Sequence, residues 1–287
     1  MVLSQPKPKV SVLTPIYNTE PIFLRECIES ILNQSFTDFE FIILNDSPDN
    51  KELEQIVRSY EDARIKYYAN EKNLGISASR NRLLELASGD YVAIFDHDDI
   101  SLPNRLEKEV EFLDTHLAIG VVGSFTEWFD ENNERKIMKC PQYDHEIRCA
   151  LTDDCYLAHT SVMIRKDILV SNNIRYQDFY SPCEDYQLFN QLLDLTHFYV
   201  IQEPLVRYRT QGARVSKIKR EQMHVMADVI RFDIRNRYPY YYKRYVRLVS
   251  KRAICRCRLF GVIPFIKIKN NKVYLFDCIL LCKIKWK

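Results

Sequence analysis

The sequence predicts an α/β architecture in which a mostly parallel central sheet is flanked by helices and followed by a basic extension of helices and a hairpin. Three observations carry that reading. Short β-branched or aromatic runs alternate with longer amphipathic ones as far as about residue 125. The charge divides along the chain, with 19 Lys+Arg against 35 Asp+Glu up to Pro204 and 22 against 4 from Leu205 onward. The 287 residues, 46% of them hydrophobic, suffice for one large core plus an extension.

In order, strands are expected at Lys9 to Pro15, Phe39 to Asn45, Ile65 to Ala69, Tyr91 to Phe95 and Ile119 to Ser124. Helices fall between them. Pro21 to Asn33 carries Phe23, Cys27, Ile31 and Leu32 on one side, and Lys51 to Tyr60, Ile76 to Ala87 and Pro103 to His116 follow. Pro21 and Pro103 suit a first helical turn, where a missing N–H costs nothing. Beyond residue 125 the spacing predicts a hairpin around Asp130 to Arg135, strands near Ser161 to Ile164 and Phe198 to Ile201, and a helix from Cys183 between them. After Pro204 come basic helices over Lys217 to Arg237 and Tyr240 to Arg256. The tail repeats itself at a spacing of 16 residues, Leu259-Phe260 to Lys267-Ile268-Lys269 recurring as Leu275-Phe276 to Lys283-Ile284-Lys285, which implies two similar hairpins. The expected division is residues 1–216 for the catalytic body and 217–287 for the extension.

Several classes are excluded. No stretch approaches the roughly 18 to 20 apolar residues of a membrane span, and Met1 to Lys9 is polar with Pro6 and Pro8, so a cytoplasmic location is expected. Nine cysteines scattered from Cys27 to Cys282 argue for reduced thiols rather than a disulfide framework, and Cys255 and Cys257 lack the partners of a zinc site. No Gly-x-Gly-x-x-Gly follows a strand, which argues against a dinucleotide-dependent oxidoreductase. No helix-turn-helix, zinc finger or RNA-binding aromatic motif accompanies the basic region, so no nucleic-acid partner is expected.

The sharpest local signal is Phe95-Asp96-His97-Asp98-Asp99, directly after the apolar run Tyr91 to Ile94. In an open α/β sheet, ligands bind beyond the carboxyl ends of the strands, which is where these carboxylates fall. Clustered acids repel unless a cation neutralises them, and hard oxygen ligands suit Mg²⁺ or Mn²⁺ holding a diphosphate. The alternative is an acidic helix cap. Leu44-Asn45-Asp46-Ser47 ends the second strand, Thr14-Pro15-Ile16-Tyr17-Asn18 ends the first, and Asn73-Leu74-Gly75 through Ser79-Arg80-Asn81 opens the helix before the acidic turn. Three strand ends and a cation thus converge on one crevice.

Taken together, Ser11 to Asn18, Asn45-Asp46-Ser47, Asn73-Leu74-Gly75 with Ala78 to Asn81, Gly89-Asp90-Tyr91 and Asp96-His97-Asp98-Asp99 resemble glycosyltransferase family 2, whose fold is termed GT-A. The resemblance covers about residues 9 to 216. It implies a nucleotide-sugar donor, UDP leading among the nucleotides, held by Thr14, Tyr17, Asp46, Asn73, Arg80, Asp96 and Asp98. It also implies a metal at Asp98 and Asp99, the two residues of the turn nearest the ribose and the diphosphate. Glu184-Asp185 resembles the family's Glu-Asp pair, with Asp185 as the base that deprotonates the acceptor hydroxyl. A helix N-terminus favouring acids is the alternative for this pair. His159 resembles a position between donor and acceptor in bacterial lipooligosaccharide transferases.

One departure is Gln211, which stands where many relatives carry a metal-reaching histidine. The Gln-x-x-Arg-Trp signature of processive synthases is missing, so addition of one sugar to a glycan or lipid-linked acceptor in surface-polysaccharide biosynthesis is expected. The rival reading is a non-catalytic nucleotide-sugar-binding or scaffolding module. The extension, with Tyr240 to Tyr242, Tyr245, Tyr274 and Trp286 among its basic residues, suits an anionic membrane surface on the cytoplasmic face, where each basic residue contributes about 1 kcal/mol. A homodimer face or a solvated surface is the alternative.

Overall fold

Four strands build the half of the sheet that frames the crevice. β1 (Val10–Ile16) pairs in parallel with β2 (Phe39–Asn45) on one side and β4 (Tyr91–Ile94) on the other, and β3 (Ile65–Ala69) extends the sheet beyond β2. The computed structural model describes residues 7–132, 134–210, 219–259, 265–269 and 272–276. β1 and β2 are buried along their whole length, which is why both read as near-continuous apolar runs. The period of two survives in where the side chains go. Leu13, Ile42, Leu44, Val92 and Ile94 enter one core, and Val10, Val12, Phe41, Ile43 and Ala93 enter the other. The order β3-β2-β1-β4 reverses direction between β1 and β4, and that reversal opens a crevice beyond their carboxyl ends.

The second half of the sheet departs from the expected order. β8 (Met163–Arg165) lies antiparallel between β4 and β6 (Ile119–Phe129), so the fifth expected strand does not sit beside the fourth. Met163 and Ile164 are fully buried, and this central place asks for only three residues. β9 (His197–Arg209) runs parallel to β6 for its whole length and passes through Pro204 rather than stopping there. Register shifts around Ser124 and Phe125, opposite Pro204, absorb the missing N–H. β5 (Ile100–Ser101) closes the edge against β9, and β7 (Arg135–Met138) forms the expected hairpin with β6.

The helices α1 (Pro21–Leu32), α2 (Lys51–Arg58), α3 (Ile76–Leu86) and α4 (Arg105–Thr115) occur where the periodicity places them. Two details differ. α1 buries Leu24, Cys27, Ile28 and Ile31, the i, i+3, i+4, i+7 stripe, and leaves Phe23 half-buried against the end of β9. Pro103 precedes the first turn of α4 by two residues instead of sitting within it. α4 also buries an ion pair, Arg105 to Glu109 at 3.1 Å, with neither side chain exposed. α5 (Asp144–Leu151), α6 (Lys166–Ser171) and α7 (Glu184–Leu192) follow.

The boundary expected near residue 216 falls between β9 and α8 (Arg220–Arg237). Ala227, Ile230 and Ile234 of α8 belong to the same core as α7. Its basic residues reach back to the acidic body: Arg231 donates to the Asp153 carbonyl at 3.0 Å, Arg235 to the Thr152 carbonyl at 2.7 Å, and Arg237 to Asp194. Part of the charge division is therefore satisfied within the chain. α9 (Pro239–Leu259) follows, and its Tyr245 hydroxyl donates to Asp153 at 2.6 Å. In the tail, β10 (Phe265–Lys269) and β11 (Lys272–Phe276) form one antiparallel hairpin that joins the end of the first repeat to the start of the second. Trp286 and the end of the second repeat lie outside the described residues. Among the described residues, no helix is long and apolar enough to cross a membrane.

One contact locks the strands beneath the crevice. The Glu40 carboxylate accepts from the Ser11 hydroxyl and the Lys66 ammonium at 2.6 Å each and from the Ser88 N–H and hydroxyl at 2.6 and 2.7 Å. Burial pushes its pKa up, but Lys66, Ser11 and Ser88 outweigh burial and hold it down to about 2. Gly89 then passes so close to β1 that an added Cβ would lie 2.6 Å from the Ser11 nitrogen and 2.8 Å from the Val10 carbonyl carbon. Both neighbours are backbone and cannot yield. Gly89→Ala is therefore expected to cost about 1–3 kcal/mol of stability, read from the urea midpoint at unchanged slope.

Candidate active site

One side of the crevice is built around Asp46. Its Oδ1 accepts from the Asn70 side chain at 2.6 Å and the Leu74 N–H at 2.8 Å, and its Oδ2 accepts from the Gly75 N–H at 2.9 Å. The exposed Asn73 also accepts from the same Gly75 N–H through its Oδ1, again at 2.9 Å. Gly75 sits at φ 86°, a left-handed conformation that a side chain would strain, and α3 starts one residue later. Asp46 thus shapes the loop that starts α3 and aims Arg80. Tyr17, 52% exposed at the end of β1, offers a free aromatic face beside it. Thr14 is placed differently from the expectation: its side chain is fully buried and its hydroxyl donates to the Phe95 carbonyl at 3.0 Å, so it braces the acidic turn from below.

The acidic turn after β4 holds three carboxylates in three environments. Asp96 accepts from Arg80 Nη2 at 3.1 Å, and its N–H donates to the Thr160 hydroxyl at 3.2 Å. Burial pushes its pKa up, but the Arg80 charge outweighs burial and holds it below the usual value. Asp98 is half-buried, and among the described residues its carboxylate makes no hydrogen bond or ion pair. Asp99 is 1% exposed and its Oδ1 accepts from the Arg209 N–H at 2.9 Å. Burial, followed by the charges of Asp98 and Asp96, pushes the Asp99 pKa well up, while the Arg209 N–H and the Thr160 hydroxyl pull it the other way.

Arg80 joins this turn to α7. Its Nη1 donates to Glu184 at 2.8 Å, and its guanidinium lies 5.6 Å from the centre of the Tyr176 ring. Burial works against the charge, but Asp96 and Glu184 outweigh it and keep Arg80 ionised. Residues 16 and 104 positions away in sequence therefore share one side chain. Asn81 fixes the third wall by exchanging hydrogen bonds with the Tyr176 backbone, both 2.8 Å. The Tyr176 hydroxyl meets His159 Nε2 at 2.8 Å, and the two rings pack edge to face. Burial and the nearby Arg80 push the His159 pKa down to about 3, so the imidazole is neutral at ordinary pH. Asp185, next to Glu184 at the start of α7, is pushed up to about 6 by burial first and by the Glu184 charge second.

Of the predicted residues, Arg80, Asp96 and Glu184 are joined directly and His159 is joined through Tyr176, which lies against Arg80. Asp185 follows Glu184 on α7, Asp98 and Asp99 share the turn of Asp96, Asp46 and Asn73 meet at the Gly75 N–H where α3 begins, and Tyr17 is exposed at the end of β1. Gln211 lies outside the described residues. The sequence reading gave no role to Tyr176, Thr160, Asn70 and Arg209, and named Asn81 only as a motif member. Nothing in the sequence marks Tyr176, since its place depends on the Asn81 contact across 95 positions.

Among the described residues, nine buried side-chain polar atoms lack a hydrogen-bond partner, and five of them belong to this crevice: Arg80 Nε, His97 Nδ1, Asp99 Oδ2, His159 Nδ1 and Glu184 Oε2. Buried polar atoms are nearly always paired in native proteins, so a cluster of exceptions marks where a polar ligand completes the structure.

A curled α/β sheet with an acidic turn at the β1–β4 switch point, faced by a Glu-Asp pair across a buried arginine, defines the nucleotide-sugar-dependent GT-A class. The sequence profile described as glycosyl transferase family 2 matches residues 11–171, and the chain belongs to that family. It is 36% identical over 78% of its length to 79% of an uncharacterized glycosyltransferase of Methanocaldococcus jannaschii. It is also 29% identical over 65% of its length to 70% of the amylovoran biosynthesis glycosyltransferase AmsE of Erwinia amylovora. Among solved structures, TarS 1–349 of S. aureus in complex with UDP-GlcNAc superposes with a TM-score of 0.63 at 17% identity, covering 93% of this chain and 96% of that one, a likeness of fold.

Because Arg80 balances the buried Glu184 and the partly exposed Asp96, Arg80→Gln leaves both uncompensated. It is expected to lower stability by about 3–5 kcal/mol by urea denaturation. Asn81→Ala should cost about 1–2 kcal/mol and release the Tyr176 segment to faster amide exchange.

Proposed function

We propose that this chain is an inverting transferase that moves one sugar from a nucleotide diphosphate donor, a UDP-sugar first among them, to a hydroxyl of a glycan or lipid-linked acceptor during surface-polysaccharide assembly. The observation that carries the reading is the Asp96–Arg80–Glu184 bridge, which sets the acidic turn and the Glu-Asp pair on two sides of one crevice. The family membership supports glycosyl transfer. The UDP-GlcNAc bound by TarS supports a UDP-linked donor, and the part its name gives AmsE in amylovoran biosynthesis supports a surface polysaccharide as the destination.

A divalent cation fits the turn. Asp98 presents a carboxylate unengaged among the described residues, Asp99 keeps a buried oxygen without a well-formed partner, and burial, followed by the charges of Asp98 and Asp96, raises the Asp99 pKa. Hard carboxylate oxygens suit Mg²⁺ or Mn²⁺. Among the described residues no group of three His, Cys, Asp or Glu closes around one point, so donor phosphate oxygens would complete the coordination. Asp98 is the better placed ligand of the two, with Asp99 supporting it. When bound, such a cation offsets the charge that develops on the departing diphosphate.

The chain's own groups account for the rest. Tyr17 gives the base a face to stack on, and Asp46 and Asn73 hold the loop beneath it. Asp185 takes the proton from the acceptor hydroxyl as that oxygen bonds to the anomeric carbon. The bond from that carbon to the diphosphate oxygen breaks on the opposite face, and the electron pair leaves with the diphosphate. With a pKa near 6, Asp185 is ionised at neutral pH yet basic enough to accept a proton. Glu184, fixed by Arg80, orients α7 and raises the basicity of its neighbour. His159 acts as a neutral dipole behind Arg80, holding Tyr176. Among the described residues of α9, the exposed Lys243 and Arg247 are available to meet an anionic membrane on its cytoplasmic face.

A panel of nucleotide sugars with Mn²⁺ tests the reading. Asp185→Asn should lower kcat by about 10²–10⁴-fold while donor still raises Tm, and Asp98→Ala should abolish the Mn²⁺-dependent part of that rise. Full activity in both variants would reject the assignment. Since the base works deprotonated, kcat/KM should fall about tenfold per pH unit below about 6 and level off above it. Asp185→Asn removes that inflection.

A further inference from the structure

The acidic turn is gripped from the far side of the sheet by one residue that the reaction as described does not use. Arg209 ends β9, and five contacts within the described residues converge on it. Its backbone N–H donates to Asp99 Oδ1 at 2.9 Å, its Nε donates to the Asp98 carbonyl at 2.7 Å, and its Nη2 is paired with Glu26 of α1. Its guanidinium is also sandwiched between Phe23 at 4.1 Å and Phe129 at 4.7 Å to the ring centres. The side chain is 6% exposed, against 40% for Glu26.

We infer that Arg209 is a positioning residue for the acidic turn: it fixes the Asp98 backbone and the Asp99 carboxylate so that the Asp98 carboxylate is presented, already oriented, to the cation-bound diphosphate of the donor. The physical case rests on what the turn lacks elsewhere. Asp96 has Arg80, and Thr14 braces the Phe95 carbonyl, but among the described residues the Asp98 carboxylate has no partner to hold it. Its direction is therefore set by its backbone, which is set by the bond from Arg209 to the Asp98 carbonyl. A fork with a fixed plane is needed, because Nε must reach that carbonyl while Nη2 reaches Glu26 and both aromatic faces remain covered. A lysine supplies one point charge and no plane. Preorganisation of this kind lowers the cost of ordering the turn when the ligand arrives, so it is felt in binding before it is felt in folding.

The buried Arg105 provides the contrast. Its Nη2 donates to the Ile94 carbonyl at 3.0 Å and its Nε pairs with Glu109, so it secures the strand below the turn and touches none of the three acids.

This inference rests on the proposed nucleotide-sugar reading, and one titration separates the two. Mn²⁺ is titrated into the full-length protein at saturating UDP, and separately GDP, with free Mn²⁺ followed by its electron paramagnetic resonance signal. The wild type, Arg209→Lys, Glu26→Gln and Arg105→Lys are compared at matched folded fraction by circular dichroism. Expected is a loss of Mn²⁺ affinity of about tenfold or more in Arg209→Lys and about threefold in Glu26→Gln. Arg105→Lys should lower Tm with Mn²⁺ affinity within twofold of the wild type. Glu26→Gln alters only a partly exposed carboxylate, so it keeps the test open if Arg209→Lys does not fold. Wild-type Mn²⁺ affinity in Glu26→Gln, or in a folded Arg209→Lys, overturns the positioning role and leaves the nucleotide-sugar reading standing. A wild type that binds Mn²⁺ with neither nucleotide overturns both.

Discussion

A single guanidinium, that of Arg80, sits between two carboxylates on opposite walls of the crevice, and the site depends on it. Glu184 is not stable as a buried charge without a partner, Asp96 is only partly exposed, and Arg80 at 11% side-chain exposure has little water to fall back on. The three must move together or not at all. That ties the end of β4 to the start of α7 and makes the span of the crevice a property of the fold instead of a property of loops. Tyr176 and His159 then fill the floor behind Arg80, and the neutral imidazole is what a site already holding a buried cation tolerates.

The geometry also explains how three adjacent acids perform three tasks. Asp96 is neutralised within the protein. The Asp98 carboxylate makes no hydrogen bond or ion pair among the described residues, and Asp99 is turned inward to the end of β9. Environment separates residues that composition cannot distinguish. The scaffold beneath is correspondingly rigid: Glu40 holds three strands through one carboxylate, and the close approach of Gly89 to β1 brings the start of β4 into register with β1 and aligns the ends where the ligand sits.

The division of charge finds part of its answer inside the molecule. Arg231, Arg235 and Arg237 of α8 direct their charge to carbonyls and carboxylates of the body around Asp153 and Asp194, while Ile230 and Ile234 of the same helix are buried. A basic extension that reads as an external contact surface is, over its first helix, an internal clasp. Its outward face carries fewer free charges than the count of residues suggests.

By itself the sequence determined what short-range chemistry dictates. β2, β3 and α3 are where periodicity places them, Gly75 is where a left-handed turn is needed, and the strand-end acids mark the crevice because motif residues at strand ends need only local chain direction to find it. Tertiary structure alone decided what depends on contacts across tens of residues. β8 enters between β4 and β6, because a three-residue strand carries too little pattern to reveal its neighbours. Thr14 turns inward, because nothing in a strand-end threonine says whether it faces ligand or turn. Arg80 bridges two acids, Tyr176 finds Asn81, and Arg209 closes on Asp98 and Asp99, because the partners of a buried charge are chosen by the packed fold, in which desolvation makes every unpaired alternative costly.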